Sequence, residues 1–172
     1  GRVDVIGSRI IDVMFGFPSF LLSLLVVAII GVGLWNVVFA VGLASIPHFA
    51  RIIRSAALQV KEQPYIEACV SLGFGRMRIM FNHILPNIIP IIIVIATMDL
   101  GGAIISIASL SFLGLGAQPP MASWGSIIKD HYNYIILGKP MLALIPGICI
   151  MSLVMAFMLL GNKLRDRLDV KN

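Results

Sequence analysis

Residues 64–86 read PYIEACVSLGFGRMRIMFNHILP, the one long polar interruption in an otherwise oily chain. Pro64 suits the first turn of a helix, where its missing N–H leaves no intrahelical bond unmade. A helix from Pro64 to Leu72 sets Ile66, Cys69, Val70 and Gly73 on one apolar stripe and turns Glu67 and Ser71 away. Gly73 and Gly75 bracket Phe74, and a glycine there ends a helix in a left-handed turn at little steric cost. A second helical stretch carries Arg76 and Arg78, with Pro86 predicted as its end.

Around this segment the composition is that of a membrane protein. Apolar residues make up 59% of the 172 and charged residues 12%, against about 45–50% and about 25% in soluble domains. So little polar surface cannot cover a globule, and lipid must cover it instead. The net charge of +5 is divided among short loops, with no basic stripe and no interleaved aromatics, so no nucleic-acid partner is expected. Cys69 and Cys149 lie far apart with no second ligand at metal-site spacing; they read as small buried hydrophobes rather than a disulfide or a metal site. No signal peptide opens the chain, and a start at Gly1 without methionine is expected of a piece of a longer protein.

The fold class expected is all-α integral membrane, with four spans. No charge occurs from Val13 to Trp35, a run longer than the about 20 residues a span needs. Pro18 sits near its start as a possible kink, and Gly31-Val32-Gly33 makes the turn. A second span runs from Leu34 to Ala50, with Pro47-His48 near its end and Arg51 and Arg54 beyond. From Ile84 to Ile128 only Asp99 is charged, so this stretch divides into a helix over about Asn87 to Leu110 and an irregular piece, SFLGLGAQPPMASWG, packed against protein because bare backbone cannot face lipid. A short amphipathic stretch, SIIKDHYNYII, leads to Gly138; the last span covers Pro140 to Asn162, and a basic tail, KLRDRLDVKN, follows.

Charge orients the spans. If the loop at 63–86 is cytoplasmic, so are both ends, and that side holds Arg2, Arg9, Arg51, Arg54, Lys61, Arg76, Arg78, Lys163, Arg165, Arg167 and Lys171. The other side keeps only Lys129 and Lys139, a strong positive-inside bias. A short helix with an apolar stripe in a cytoplasmic loop has the form of a helix that docks in a partner's groove; the bland alternative is a helix lying on the membrane surface.

Glu67-Ala68-Cys69, Gly73 four residues after Cys69, and His83-Ile84-Leu85-Pro86 resemble the EAA signature of importer-type ABC permeases. The pattern departs at Cys69, where a second alanine is usual, and at His83, where isoleucine is. The later runs LSFLGLGAQPP (110–120), SWG (123–125) and LRDRLD (164–169) are similar to the dipeptide, oligopeptide and nickel branch, in its second ("C") permease subunit. The resemblance covers essentially the whole chain as one partial transmembrane domain, 1–172. It implies six spans in the complete protein, so the first two, with the external loop between them, are expected to be missing here. It also implies that Tyr65, Ile66, Glu67, Ala68, Cys69, Val70, Leu72 and Gly73 form a coupling helix that docks in a cytoplasmic ATPase. The partners implied are a homologous second permease (or a copy), two ATPase subunits that carry ATP and Mg, and an extracytoplasmic substrate-binding protein, in the inner membrane of a prokaryote. This chain itself is expected to bind no cofactor and no metal. The function implied is import of small peptides by alternating access, with nickel or a metal chelate as the alternative cargo.

Single residues leave alternatives open. Glu67 is read as a brace within the loop, capping backbone or pairing with Arg54 or Arg76, ahead of direct contact with the ATPase. Asp99, with Met98 beside it, is either a polar point on the translocation path, attractive to an ammonium or metal cation, or a neutral acid hydrogen-bonded to a neighbouring helix. Gly101-Gly102 permits close helix contact. Met151, Met155 and Met158 share one helical face and read as packing or lipid-facing filler. His48, His83 and His131 are scattered, and His48 is taken to end the second span. Arg51 and Arg54 are read as snorkelling to headgroups. The chain has no phosphate-binding loop, HExxH pair or GxSxG elbow, which excludes ATP hydrolysis by this chain and weakens a membrane protease or lipase. A stand-alone channel is the other class; it lacks an obvious filter and leaves a docking helix without purpose.

Overall fold

The computed structural model describes residues 2–169, with side chains from 7 to 168. Lys171 and the side chain of Arg2, counted above in the charge bias, lie outside the described residues. Eight α-helices follow in order: α1 Arg2–Phe15, α2 Ser19–Ile30, α3 Leu34–Lys61, α4 Pro64–Ser71, α5 Arg76–Ile79, α6 Leu85–Phe112, α7 Trp124–His131 and α8 Met141–Asp169. Three helical runs, 34–61, 76–112 and 141–168, are long and apolar enough to cross a membrane. The count of four holds when α1 and α2 are taken together as one bent span.

That bend falls at Pro18, where the sequence leaves a kink open within the Val13–Trp35 run. Gly16-Phe17-Pro18 breaks the run, and the two arms meet at 98°. The twelve residues of α2 rise only about 18 Å, well short of an about 30 Å hydrocarbon core. α1 packs back against α3, with the Arg51 guanidinium 3.6 Å over the Phe15 ring and Arg54 Nη1 donating to Ser8 Oγ. The two arginines therefore pin α1.

The turn at Gly31-Val32-Gly33 stands as expected. Gly31 and Gly33 adopt φ of +96° and +145°, and Asn36 Nδ2 donates to the carbonyls of Ile30 and Gly31, closing the end of α2. Gly33 N–H donates to Leu115 O at 3.0 Å, tying this turn to the segment after α6. Val27, Val37, Ala40, Val41 and Leu110 form the buried cluster between α2, α3 and α6, with Leu115 packed on it.

α6 and α8 pack closely because small residues face them. A Cβ on Gly101 would sit 3.4 Å from Val154, and one on Gly161 3.0 Å from Met98 Cγ. The partner number falls as the residue number rises, so the two run antiparallel. Gly102 does not share this role: nothing lies within 4 Å of its would-be Cβ. Only 17% of the most apolar window of each of these two spans is buried within the chain, so most of it must meet lipid or another subunit.

The irregular piece folds back over the end of α6. Gly114, at φ +84°, ends α6 with paired bonds from its own N–H to Ser111 O and from Leu115 N–H to Leu110 O. Ser123 then caps α7 reciprocally with Ser126. Gly125 seats α7 on α6: its would-be Cβ lies 2.1 Å from Ala108 O and 2.8 Å from Ser111 Cβ.

Pro86 does not end a helix. α5 passes through a π turn over Met80–Ile84 into α6 without a break long enough to divide the span. Leu85 N–H bonds to Met80 O, five residues back, and this wider turn carries the chain past the missing proline N–H. The second span likewise continues past Pro47, His48 and Ala50 to Lys61.

Candidate functional site

Helix α4 is held between an extended Gln63 and the left-handed Gly73, at φ +78°. Gly73 N–H bonds to Val70 O and Phe74 N–H to Cys69 O, the two bonds of a glycine-closed helix end. Pro64 occupies the first turn, as expected.

One side of α4 faces the chain itself. Ile66 is 3% exposed and Cys69 half-buried. Cys69 Sγ lies 3.9 Å from His83 Nε2, so the two positions that depart from the family pattern meet. Phe74 stacks on His83 at 6.1 Å between centroids, and the Arg78 guanidinium lies 4.5 Å over the Phe74 ring. Asn87 Nδ2 donates to Tyr65 Oη at 3.1 Å and to His83 O at 2.6 Å. Tyr65, Cys69 and Phe74 are thereby fastened to the start of α6.

The other side is open. Val70, Leu72 and Met77 are 61%, 73% and 66% exposed, and Glu67 and Ala68 are exposed with them. The single stripe expected over Ile66, Cys69, Val70 and Gly73 is therefore divided: Ile66 is buried and Cys69 lies against His83 of the π turn, while Val70 turns outward. The brace expected from Glu67 is not formed either. Among the described residues its carboxylate makes no ion pair or hydrogen bond, Arg54 being engaged on α1; only its backbone carbonyl is used, by Ser71 Oγ. The brace is supplied instead by Asn87 and His83. Asn87 was not singled out from the sequence, although an amide one turn past His83 at a proline-disturbed helix start is the signal for it.

A second feature lies deep between α3, α6 and the α1–α2 corner. A cavity of about 600 Å³ is walled by Met14 and Phe15, by Ser45 and His48, and by Asp99 and Ser106, among others. His48 and Asp99 sit at the midpoints of their 28-residue helices, about 20 Å from either end. His48 Nε2 is 3.8 Å from Asp99 Oδ1, beyond hydrogen-bond reach. His48 thus lies beside the acid on the cavity wall rather than ending a span, and a histidine inside an uncharged run is the sequence signal for it. Met98 does not accompany Asp99 on this wall. The about 100° turn between helical neighbours directs it to Gly161 of α8.

Residues 1–170 match the family described as binding-protein-dependent transport system inner membrane component. The chain belongs to this family. It is 46% identical over 171 residues to the "Glutathione transport system permease protein GsiD" of Escherichia coli O1:K1 / APEC, covering 99% of this chain and 56% of that protein. The protein of the same name from Pectobacterium atrosepticum is 47% identical over 171 residues, covering 99% and 56%. That from Salmonella typhimurium is 48% identical over 163 residues, covering 95% and 54%. The chain spans about half the length of the curated relatives it matches.

The rest of this inner membrane component offers less chemistry. Both cysteines are free. Among the described residues no three His, Cys, Asp or Glu side chains group as metal ligands. Met151, Met155 and Met158 line an apolar groove of about 390 Å³ with Ile105, Gly147 and Val154, between α8 and α6. His131 Nδ1 is 2.9 Å from Ile127 O in its own helix.

Proposed function

We propose that this chain is the membrane-spanning part of a permease subunit in an ATP-driven importer of small peptides, coupled to separate ATPase subunits through α4. One observation carries this reading: Val70 on α4 and Leu72 at its end are exposed, while Tyr65 is bonded by Asn87 of α6 and Cys69 lies against His83 of the π turn that leads into α6. A helix open on one face and anchored on the other suits transmission of a rigid-body motion from a docked partner to a span. The ATPases, a second permease and an external binding protein are the partners this requires. ATP binding draws the paired coupling helices together and opens the spans outward, and hydrolysis resets them.

The basic residues at the α3–α4–α5 end and along the last turns of α8 support a cytoplasmic position for that end. Asp99, on the cavity wall at mid-depth, is assigned to the translocation path. Peptide cargo is favoured by the relatives named as glutathione transport permeases, with nickel or a metal chelate as the alternative. The test is uptake in cells lacking the subunit and then restored with the full-length protein, comparing labelled glutathione, a labelled dipeptide and labelled nickel. Restored peptide uptake is the expected result. Nickel uptake alone would overturn the cargo, and restoration of none would overturn the importer reading for all three.

A further inference from the structure

We propose that the cavity lined by His48 and Asp99 is a subsite for a primary ammonium group on the cargo. This rests on the translocation-path reading and adds the chemistry of the guest. Asp99 is 32% exposed in its side chain and opens into the cavity. Among the described residues no hydrogen bond reaches its carboxylate, and the nearest polar side chain with a proton to give, His48, stays at 3.8 Å. A carboxylate inside an apolar span without a hydrogen-bond donor is costly, and a cation beside it, His48 when protonated or a guest ammonium, relieves it. The remaining polar wall is made of serine hydroxyls, Ser19, Ser23, Ser45 and Ser106. Hydroxyls accept hydrogen bonds from an ammonium, and among the described residues no three His, Cys, Asp or Glu side chains group as metal ligands. Among the residues whose side chains are described, α2 brings no ionisable group to the wall, and α1 brings only Met14 and Phe15. Arg51, one turn along α3, is laid on the Phe15 ring and does not line the cavity. Among the described residues the field inside is therefore set by Asp99, with His48 as its titratable neighbour on the wall.

Gly102 lies one turn from Asp99 on the same wall, with no atom within 4 Å of an added Cβ. Gly102→Cys in the assembled transporter places a thiol there, and Ser106→Cys is the second, near-isosteric site. Methanethiosulfonates bearing an ammonium, a sulfonate or only a methyl group are compared, each rate divided by that reagent's rate with a free thiol. Modification at residue 102 or 106 is read by mass spectrometry in resting and vanadate-trapped protein. The ammonium reagent should react at least ~10-fold faster than the sulfonate, as a nearby carboxylate in a low-dielectric cleft requires. Asp99→Asn should bring the ratio near one, and glutathione, with binding protein and ATP, should slow the reaction. If no reagent reaches either thiol in either state, the path reading itself fails. If all reagents reach it with no charge preference, or Asp99→Asn leaves the preference intact, the path stands and the ammonium subsite fails. Protection by nickel ions but not by glutathione overturns the ammonium in favour of a metal.

Discussion

Substituting alanine at two glycines, Gly125 and Gly102, should move stability in opposite directions. At Gly125 the new methyl would lie 2.1 Å from Ala108 O, 3.0 Å from Ala108 C and 2.8 Å from Ser111 Cβ. Two of these atoms are helix backbone and cannot rotate away, so α7 must lift from α6, at a cost of about 1–3 kcal/mol as for other overpacked contacts. At Gly102, mid-way along α6, nothing lies within 4 Å. Alanine there avoids the helix penalty of glycine and should stabilise by about 1 kcal/mol. With about 2–4 °C per kcal/mol for a domain of this size, Gly102→Ala should raise the midpoint by a few degrees. Gly125→Ala should lower it by several. Heating the purified transporter in detergent and measuring the surviving monodisperse fraction by size exclusion gives both values. A Gly125→Ala protein as stable as the wild type would refute the seating of α7 on α6, and equal shifts would refute the contrast between the two sites.

Gly73→Pro should abolish uptake while leaving the protein in the membrane, because proline holds φ near −65° and cannot adopt the +78° that closes α4; wild-type uptake would contradict this. Glu67→Lys should also uncouple transport, since the exposed carboxylate is free to meet a partner; the check is ATP hydrolysed per substrate moved, with an unchanged ratio as the contrary result. Asn87→Leu removes the bond from α6 to Tyr65 of α4 and the one to His83 O in the π turn and should raise that same ratio, whereas Asn87→Asp, which can still accept from Tyr65 Oη, should be milder. Ser123→Ala breaks the cap of α7 and should cost about 1 kcal/mol, visible as a midpoint about 2–4 °C lower.

Local rules were legible in the sequence where one residue decides the backbone. Pro64 opening a helix, Gly73 closing it, the Gly31–Gly33 turn and the loop built from glycine and proline after α6 all follow from allowed dihedrals and missing donors. What was not legible depends on a wider turn or on distant packing. Pro86 reads as a terminator unless the chain widens into a π turn, and nothing in MFNHI announces one. Pro18 marks a kink in the run from Val13 to Trp35, but neither its size, 98°, nor the packing of α1 against α3 was legible. His48 and Asp99 are 51 positions apart and meet only because α3 and α6 pack. Asp99 alone was visible as an intramembrane acid; its histidine and its cavity were not. A docking role for α4 is proposed from its apolar stripe together with the family resemblance, yet which of its apolar residues point outward was not legible: Ile66 is buried, Cys69 meets His83 of the π turn and Val70 is exposed.

The claim that α4 is the surface engaged by the ATPases is tested most directly by site-specific cross-linking in the assembled transporter. Single cysteines at Val70, Leu72 and Ile66 would each be paired with cysteines along the ATPase cleft. Val70→Cys and Leu72→Cys should cross-link, with yields that change between nucleotide-free and vanadate-trapped states, and Ile66→Cys, 3% exposed in the wild-type side chain, should not. Absence of cross-links at 70 and 72 with strong ones at 66 would show that α4 docks by the face assigned here to its own chain, and the coupling geometry would be wrong.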